Sequence, residues 1–334
     1  ELLLKITREL YPNMKIQNTN FPKIDYADAM EFYGCDKPDI RYGLKMRTIT
    51  DVLQDTEFSI FKQVIDNWGI VKALIVEKDV ADRFAKKYLD EKLRSFSIEW
   101  WLWWLANIRI WEQNFITDKL GDTILNNIIQ KTWAQKWDIL LFGAGVEKVV
   151  NKALDAVRQK IATDFSLYDD NELAFCWVVN FPMFEKTDEW NWKFTHNPFS
   201  MPQKEFIPDL LEQRNVENIL AEQYDIVLNG NEIGGGSIRA HIPEILEGTY
   251  KVMWYSDEEM QKSVGHMLDA FRYWFPPHGG IALWVDRLVM ILQQKKTIRE
   301  VIAFPKTWDG KDLMMNSPSF ISEEKKKEAN IRSI

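Results

Sequence analysis

The chain has 334 residues, with 50 acidic and 42 basic side chains and a formal net charge of −8. That balance excludes a uniformly basic nucleic-acid-coating surface, although a local basic face would suffice for an RNA partner. Cys35 and Cys176 are the only cysteines, which argues against a disulfide framework, and no stretch approaches the ~20 apolar residues that span a bilayer. The length allows about two domains.

Taken in chain order, residues 1–17 read as an amphipathic helix, 18–22 as a loop, and 26–33 as a helix closed by the turn 34–39. From about Arg47 the pattern changes. Residues 56–66, 80–95, 122–131 and 146–163 are helix-like, and between them 71–76 (VKALIV), 105–110 and 138–142 (DILLF) are strand-like. Strands alternating with helices predict a separate α+β layer domain. A strand at 175–180 follows, then helices at 208–220 and 256–271. The last of these opens on a Ser-x-x-Glu capping box, Ser256 to Glu259.

The stretch 224–241, YDIVLNGNEIGGGSIRAH, carries the most chemistry. Its strand ends at Asn229-Gly230, a hairpin signal because both residues tolerate positive φ. Asp225 lies on the incoming strand and Glu232 just past the turn, so a hairpin can bring the two carboxylates together for a divalent cation that bridges phosphates. Gly234, Gly235 and Gly236 remove side chains where a ligand could approach the backbone. Arg239 offers a planar fork for a carboxylate or phosphate. A glycine-rich hairpin with surface charges is the plainer alternative.

A second block, 276–287 (PPHGGIALWVDR), predicts loop, strand and then a helix opening near Asp286 and Arg287, where an arginine can hold a polyphosphate. A surface Asp-Arg pair at a helix start is the competing reading. The four histidines, His196, His241, His266 and His278, show no zinc-ligand spacing. Lys325, Lys326 and Lys327 are candidate phosphate contacts, although such a run usually forms a solvated helix face.

Together these blocks resemble the bacterial-type aspartyl-tRNA synthetases, which are class II enzymes. The resemblance extends to FPKIDYADAM (21–30) and YGCDKPDIR (33–41), similar to the segment after the second class motif. It continues through the core-strand-like WVVNFPMFE (177–185), the substrate-loop-like FTHNPF (194–199) and REVIAFPK (299–306) after the third motif. It implies an α+β fold: an antiparallel catalytic sheet flanked by helices, with an α+β insertion domain. The implied boundaries are 1–46 for the first catalytic part, 47–165 for the insertion, 166–315 for the catalytic remainder and 316–334 for a tail.

The resemblance also implies roles. Glu232 would bind ATP through Mg2+, and Asp225 would support the same metal. Arg239 would pair with the side-chain carboxylate of aspartate, and His196 would close over the amino acid. Trp284, Val285, Asp286 and Arg287 would meet ATP, with Arg287 on the triphosphate. Many relatives carry a second histidine where this chain has Asn197. The implied reaction joins aspartate and ATP as aspartyl-adenylate and passes the aspartyl group to tRNA(Asp), with tRNA(Asn) left open. It works by positioning and charge neutralisation. The implied enzyme is a cytoplasmic homodimer with no membrane partner.

Two departures stand out. The family's anticodon-binding barrel and its first and second class motifs are missing, so the expectation is a C-terminal part or half of a split enzyme, unable to form adenylate alone. There are also 15 tryptophans, as many as glycines. Against the family pattern, glycine is expected at 68, 100, 101, 103, 104, 111, 133, 137, 190, 254, 274, 284 and 308, with only Trp177 and Trp192 genuine. Some bacteria read UGA as glycine and others as tryptophan, which would produce this substitution. If the indoles are real, Trp284 is expected to obstruct the ATP pocket. Two alternatives stay open: a non-catalytic synthetase-like binding protein, and an amide-forming amino-acid ligase of the same fold.

Overall fold

A computed structural model of the chain describes residues 1–332 apart from Lys86, Trp103, Trp104 and Asp188. Two of the suspect indoles, Trp103 and Trp104, therefore lie outside the described residues. The described chain divides into two compact units, Glu1–Leu283 and Trp284–Ile334.

The first unit contains a five-stranded sheet in the order Gly279–Leu283, Asn231–Ile238, Gln223–Leu228, Phe175–Val179, Lys23–Asp25. Neighbours run antiparallel except the last pair, where Ile24 lies parallel to Val178. The helix Tyr26–Tyr33 covers one face, and Ala29 packs with Cys176, Val178, Phe181 and Val227. That helix stops at Gly34, whose φ is 71°. A Cβ there would sit 2.5 Å from the Asn151 carbonyl oxygen, so glycine is required on both conformational and steric grounds.

A second, four-stranded antiparallel sheet has the order Met46–Thr48, Ile70–Val76, Ile139–Gly145, Leu105–Arg109. Helix Glu147–Asp164 covers one face with Val150, Leu154, Val157 and Ile161, all fully buried. The other face packs Phe58, Phe61, Leu120 and Ile128 from the segments 58–66 and 115–132. Burial on both faces explains why the strands read as continuous apolar runs rather than alternating ones. Lys72 interrupts one run and is buried. Its ammonium donates to the Met30 carbonyl and to Asn151 Oδ1, each at 2.7 Å, and lies 3.7 Å from Glu31. One buried cation thereby ties this sheet to helix Tyr26–Tyr33.

Three predicted helices are shorter or broken. The first ends at Leu10 because Tyr11 precedes Pro12, and a residue before proline avoids the helical region. The predicted helix 208–220 is reduced to Ile207–Leu211, with Gln213 and Asn215 in the left-handed region at φ 53° and 47°. The stretch 80–95 becomes a helical turn Lys78–Ala81, a π-helical stretch Tyr88–Leu93 and a helix that begins at Arg94. Helix Phe115–Thr132 kinks at Gly121, so its second part begins where the sequence places a helix. Helix Asp257–Arg272 opens on the expected capping box: Ser256 Oγ accepts from Glu259 N, and the Glu259 carboxylate accepts from Ser256 N at 2.9 Å.

Both cysteines are free. Burial pushes both thiols up, Cys176 to about 12, so neither is a thiolate at neutral pH. In the second unit, helix Val285–Leu292 begins after Trp284, and the Arg287 guanidinium lies 4.7 Å from the centre of the Trp284 ring. The helix Glu323–Glu328 carries Lys325, Lys326 and Lys327, and Lys326 pairs with Glu323 at 2.7 Å. No helix of the described residues is long and apolar enough to cross a membrane.

Candidate active site

The hairpin Gln223–Leu228 to Asn231–Ile238 positions the acidic pair. Asp225 pairs with Gly235 and Val227 with Glu232, and a register shift between Ile226 and Val227 leaves Ile233 as an extra residue. This bulge keeps Asp225, Glu232 and Gly235 on one face of the sheet, where unbroken alternation would have separated Glu232 from Gly235. A Cβ built on Gly235 would lie 2.7 Å from Asp225 Oδ1 and 3.3 Å from Glu232 Oε1. Both carboxylates therefore converge over that glycine, and its bare Cα keeps the space between them open.

The other two glycines have a different reason. A Cβ on Gly236 would lie 1.9 Å from the Gly280 carbonyl oxygen, and one on Gly234 would lie 2.7 Å from the Leu283 side chain. These two admit the neighbouring strand Gly279–Leu283. The expectation of a ligand approaching all three is thus narrowed to Gly235.

Asp225 is buried, and its carboxyl is held up at about 7 by burial first, then by Glu232 and Asp36, against the opposing Lys37 ammonium and a hydrogen bond with Gln223. Two acids sharing a confined space in this way favour a bound cation. Among the described residues no cluster of three or more His, Cys, Asp or Glu could hold a metal by itself. Two convergent carboxylates fit a Mg2+ whose remaining positions are filled by water and ligand oxygens rather than an all-protein cage.

His196 reaches the same region from the loop 195–200. Its ring meets Phe181 edge-on at 5.0 Å between centroids. Burial pushes the imidazole pKa down, against Asp36 and Glu232, which push it up. Asp36 and Lys37 therefore act electrostatically on both Asp225 and His196. Sequence reasoning quoted them but gave them no role. The usable clue was their position between left-handed Gly34 and Pro38, a turn too constrained to be a casual surface loop. The buried hydroxyls of Thr195 and Ser237 have no hydrogen-bond partner, and Ser237 is opposite Gln223 in the sheet. Ser237 lies two positions from Gly235 on the same face as Asp225, so its hydroxyl is available to a polar ligand held by the acids.

Arg239 lies one residue past the strand Asn231–Ile238 and forms an isolated bridge with Ser200. Its main-chain N–H donates to the His278 carbonyl at 2.9 Å, and its Nη1 donates to Asn197 Oδ1 at 3.1 Å. Asn197 Oδ1 also accepts from Phe199 N at 2.9 Å. Asn197 thus anchors the arginine to the 195–200 loop. Arg239 lines a cleft of about 240 Å³ with Phe199, Met267, Phe271, Phe275 and His278. Of the other predicted site residues, Trp284, Val285, Asp286 and Arg287 open the second unit, with Val285, Asp286 and Arg287 in the first turn of its helix.

Beneath the site, Arg41 holds Asp39 in a two-pronged pair, the shorter contact being 2.7 Å from Nη2 to Oδ2. Arg158, fully buried, donates to the carbonyls of Asp39, Tyr42, Gly43 and Leu44. The segment that presents Asp36 and Lys37 is thus fastened by the helix Glu147–Asp164, which covers the second sheet.

Residues 1–308 match the family of tRNA synthetases class II (D, K and N). The aspartate–tRNA ligase of Macrococcus caseolyticus (strain JCSC5402) is 37% identical over 318 residues, which cover 94% of this chain and 53% of the relative. The aspartate–tRNA(Asp/Asn) ligase of Caldanaerobacter subterraneus subsp. tengcongensis is 39% identical, covering 93% and 52%. The aspartate–tRNA ligase of Listeria monocytogenes serotype 4a (strain HCC23) is 37% identical, covering 100% of this chain and 56% of the relative. The chain thus spans about half the length of the curated relatives it matches. The solved aspartyl tRNA synthetase from Entamoeba histolytica aligns with 46% of this chain and 25% of its own, at 20% identity and a TM-score of 0.31. Matched from its first residue through both sheets and into the second unit, the chain belongs to the class II tRNA synthetases of the aspartate, lysine and asparagine group.

Proposed function

We propose that this chain carries the amino-acid and nucleotide chemistry of an aspartate–tRNA ligase, joining aspartate to ATP as aspartyl-adenylate and passing the aspartyl group to tRNA(Asp). The observation that carries the reading is the convergence of Asp225 and Glu232 over Gly235, with Arg239 just past the end of the strand Asn231–Ile238. It is supported by the names of the relatives, one of which is an aspartate–tRNA(Asp/Asn) ligase, so tRNA(Asn) is a possible second acceptor.

In this reading Arg239 pairs with the substrate's side-chain carboxylate, held at the right angle by Asn197. His196 is kept neutral by burial and closes over the amino acid without adding charge. Glu232 and Asp225 would hold Mg2+, which would supply charge neutralisation for the ATP phosphates. Trp284, Val285, Asp286 and Arg287 contact the nucleotide, and Arg287 meets its triphosphate. Nothing in this set forms a covalent intermediate; the residues align two substrates and screen charge, which is how phosphoryl-type displacements are accelerated. Residues 1–46 and 166–315 form the catalytic domain, 47–165 an insertion and 316–334 a tail. The active species is a cytoplasmic homodimer.

The test is aspartate-dependent ATP–pyrophosphate exchange in the full-length protein that contains this chain. Exchange that needs aspartate and Mg2+, and that Arg239→Ala reduces on the order of 1,000-fold in kcat/KM, is the expected result. Exchange supported by asparagine but not aspartate would refute the substrate assignment.

A further inference from the structure

Of the thirteen described tryptophans, eight adopt left-handed backbone: Trp68, Trp101, Trp111, Trp133, Trp137, Trp190, Trp254 and Trp274, with φ between 55° and 75°. Five asparagines share that region, as expected for a residue whose short amide bonds locally. A bulky indole has no such reason to be there, and a left-handed conformation with a large side chain is a genuine outlier.

The local hydrogen bonds identify what these positions require. After helix Ser59–Asp66, Trp68 N donates to Ile65 O and Gly69 N to Val64 O. After Arg94–Glu99, Trp101 N donates to Ile98 O and Leu102 N to Ser97 O. After Pro243–Val252, Trp254 N donates to Lys251 O and Tyr255 N to Tyr250 O. Each is a complete Schellman motif, with its left-handed residue occupied by tryptophan where glycine is the ordinary occupant. Trp133 and Trp274 also end helices in left-handed backbone, and Trp190 closes the tight turn Thr187–Asn191 of a hairpin.

Seven of the eight indoles are exposed, Trp68 at 97%, and Trp137 is half-buried. They could be taken for a docking surface, but they are placed by chain reversals, not by any shared face. Trp177 and Trp192 behave differently. Both lie in strands; Trp177 meets Tyr224 edge-on, and Trp192 packs on the cluster around Met183 and Ile219.

We infer that the protein as made carries glycine at positions 68, 101, 111, 133, 137, 190, 254 and 274, its gene being decoded with UGA read as glycine. This rests on backbone geometry and is independent of the catalytic reading above. The backbone is the discriminating observation: it selects these eight from the broader set of unusual tryptophans, and Trp100, Trp284 and Trp308 carry no such mark.

Two measurements test it. Peptide mass spectrometry on the protein purified from its source organism should read glycine at all eight positions; tryptophan there overturns the inference. Separately, the chain is made recombinantly as written and with the eight glycines, and unfolding equilibria are compared. The glycine form should be favoured by about fivefold per site. Trp192→Gly, at a strand position, should shift the equilibrium the opposite way. A tryptophan form as stable as the glycine form overturns the inference.

Discussion

The guanidinium of Arg158 donates to the main-chain carbonyl of Asp39 at 2.6 Å, joining the helix Glu147–Asp164 to the segment that carries Asp36 and Lys37. The same side chain reaches three further carbonyls and the Tyr42 hydroxyl. One residue thus fixes a stretch with no sheet partner of its own. We expect Arg158→Met to destabilise the fold by on the order of 3 kcal/mol, because several buried carbonyls lose a charged donor at once. In the full-length protein, Arg158→Lys should raise KM for aspartate more than it lowers kcat, since the loop loosens while the reacting groups stay. Urea unfolding and steady-state kinetics check the two parts, and an unchanged KM in a folded variant would contradict the second.

The acidic pair gives a pH signature. Asp225 is held at about 7 in the fold, above an ordinary value of 3.8, chiefly by burial and by Glu232. A raised acid favours the folded state fully below its unfolded pKa and loses that contribution as pH climbs through the folded one. Stability should therefore fall between pH 4 and pH 8 in the wild type and fall less in Asp225→Asn. Added Mg2+ at pH 8 should restore part of the wild-type midpoint and none of the variant's. Parallel pH curves for the two proteins would remove Asp225 from this account.

The three hairpin glycines separate function from stability. Gly235→Ala places a methyl group 2.7 Å from Asp225 Oδ1, in the ligand space. We expect it to fold and to lose on the order of 100-fold in kcat/KM for exchange. Gly236→Ala collides with the Gly280 carbonyl at 1.9 Å and should instead unpair the strand Gly279–Leu283. Circular dichroism melts with exchange kinetics on both variants decide; the reverse pattern would contradict the assignment.

Ser256 offers a purely structural control. Its Oγ and the Glu259 carboxylate cap helix Asp257–Arg272 reciprocally. Ser256→Ala should cost about 1 kcal/mol, read as a lower urea midpoint with KM unchanged.

Much of this was readable from residue order. Asn229-Gly230 set the hairpin, the Ser256–Glu259 spacing set a helix start, and the apolar runs around Leu74 and Leu141 set two strands of an α+β layer. The site was readable only in part. Asp225, Glu232 and Arg239 advertise themselves by type and spacing, but the bulge at Ile233 that keeps the acids on one face leaves no mark in composition. Asp36 and Lys37 gain meaning only from partners nearly two hundred positions away. Lys72 and Arg158 sit inside apolar patterns where a cation looks like an error; their function is to satisfy main-chain oxygens, which sequence does not display. The helix predicted across 208–220 failed for a related reason: left-handed Gln213 carries no turn signature, and Asn215 alone, with no Gly or Pro beside it, is a weak one.

The strand order has a consequence for how the molecule comes together. All four strands of the second sheet arise between Met46 and Gly145, so its contacts can close while synthesis continues. The site cannot. Lys23–Asp25 must wait for Phe175–Val179 to lie parallel beside it, and the hairpin and Gly279–Leu283 add to that pair from later in the chain. Loop closure over such a span is slow compared with local pairing. The early module, already holding Arg158 and Lys72 in place, would then act as an internal template on which the first catalytic segment is kept in register until its partners emerge.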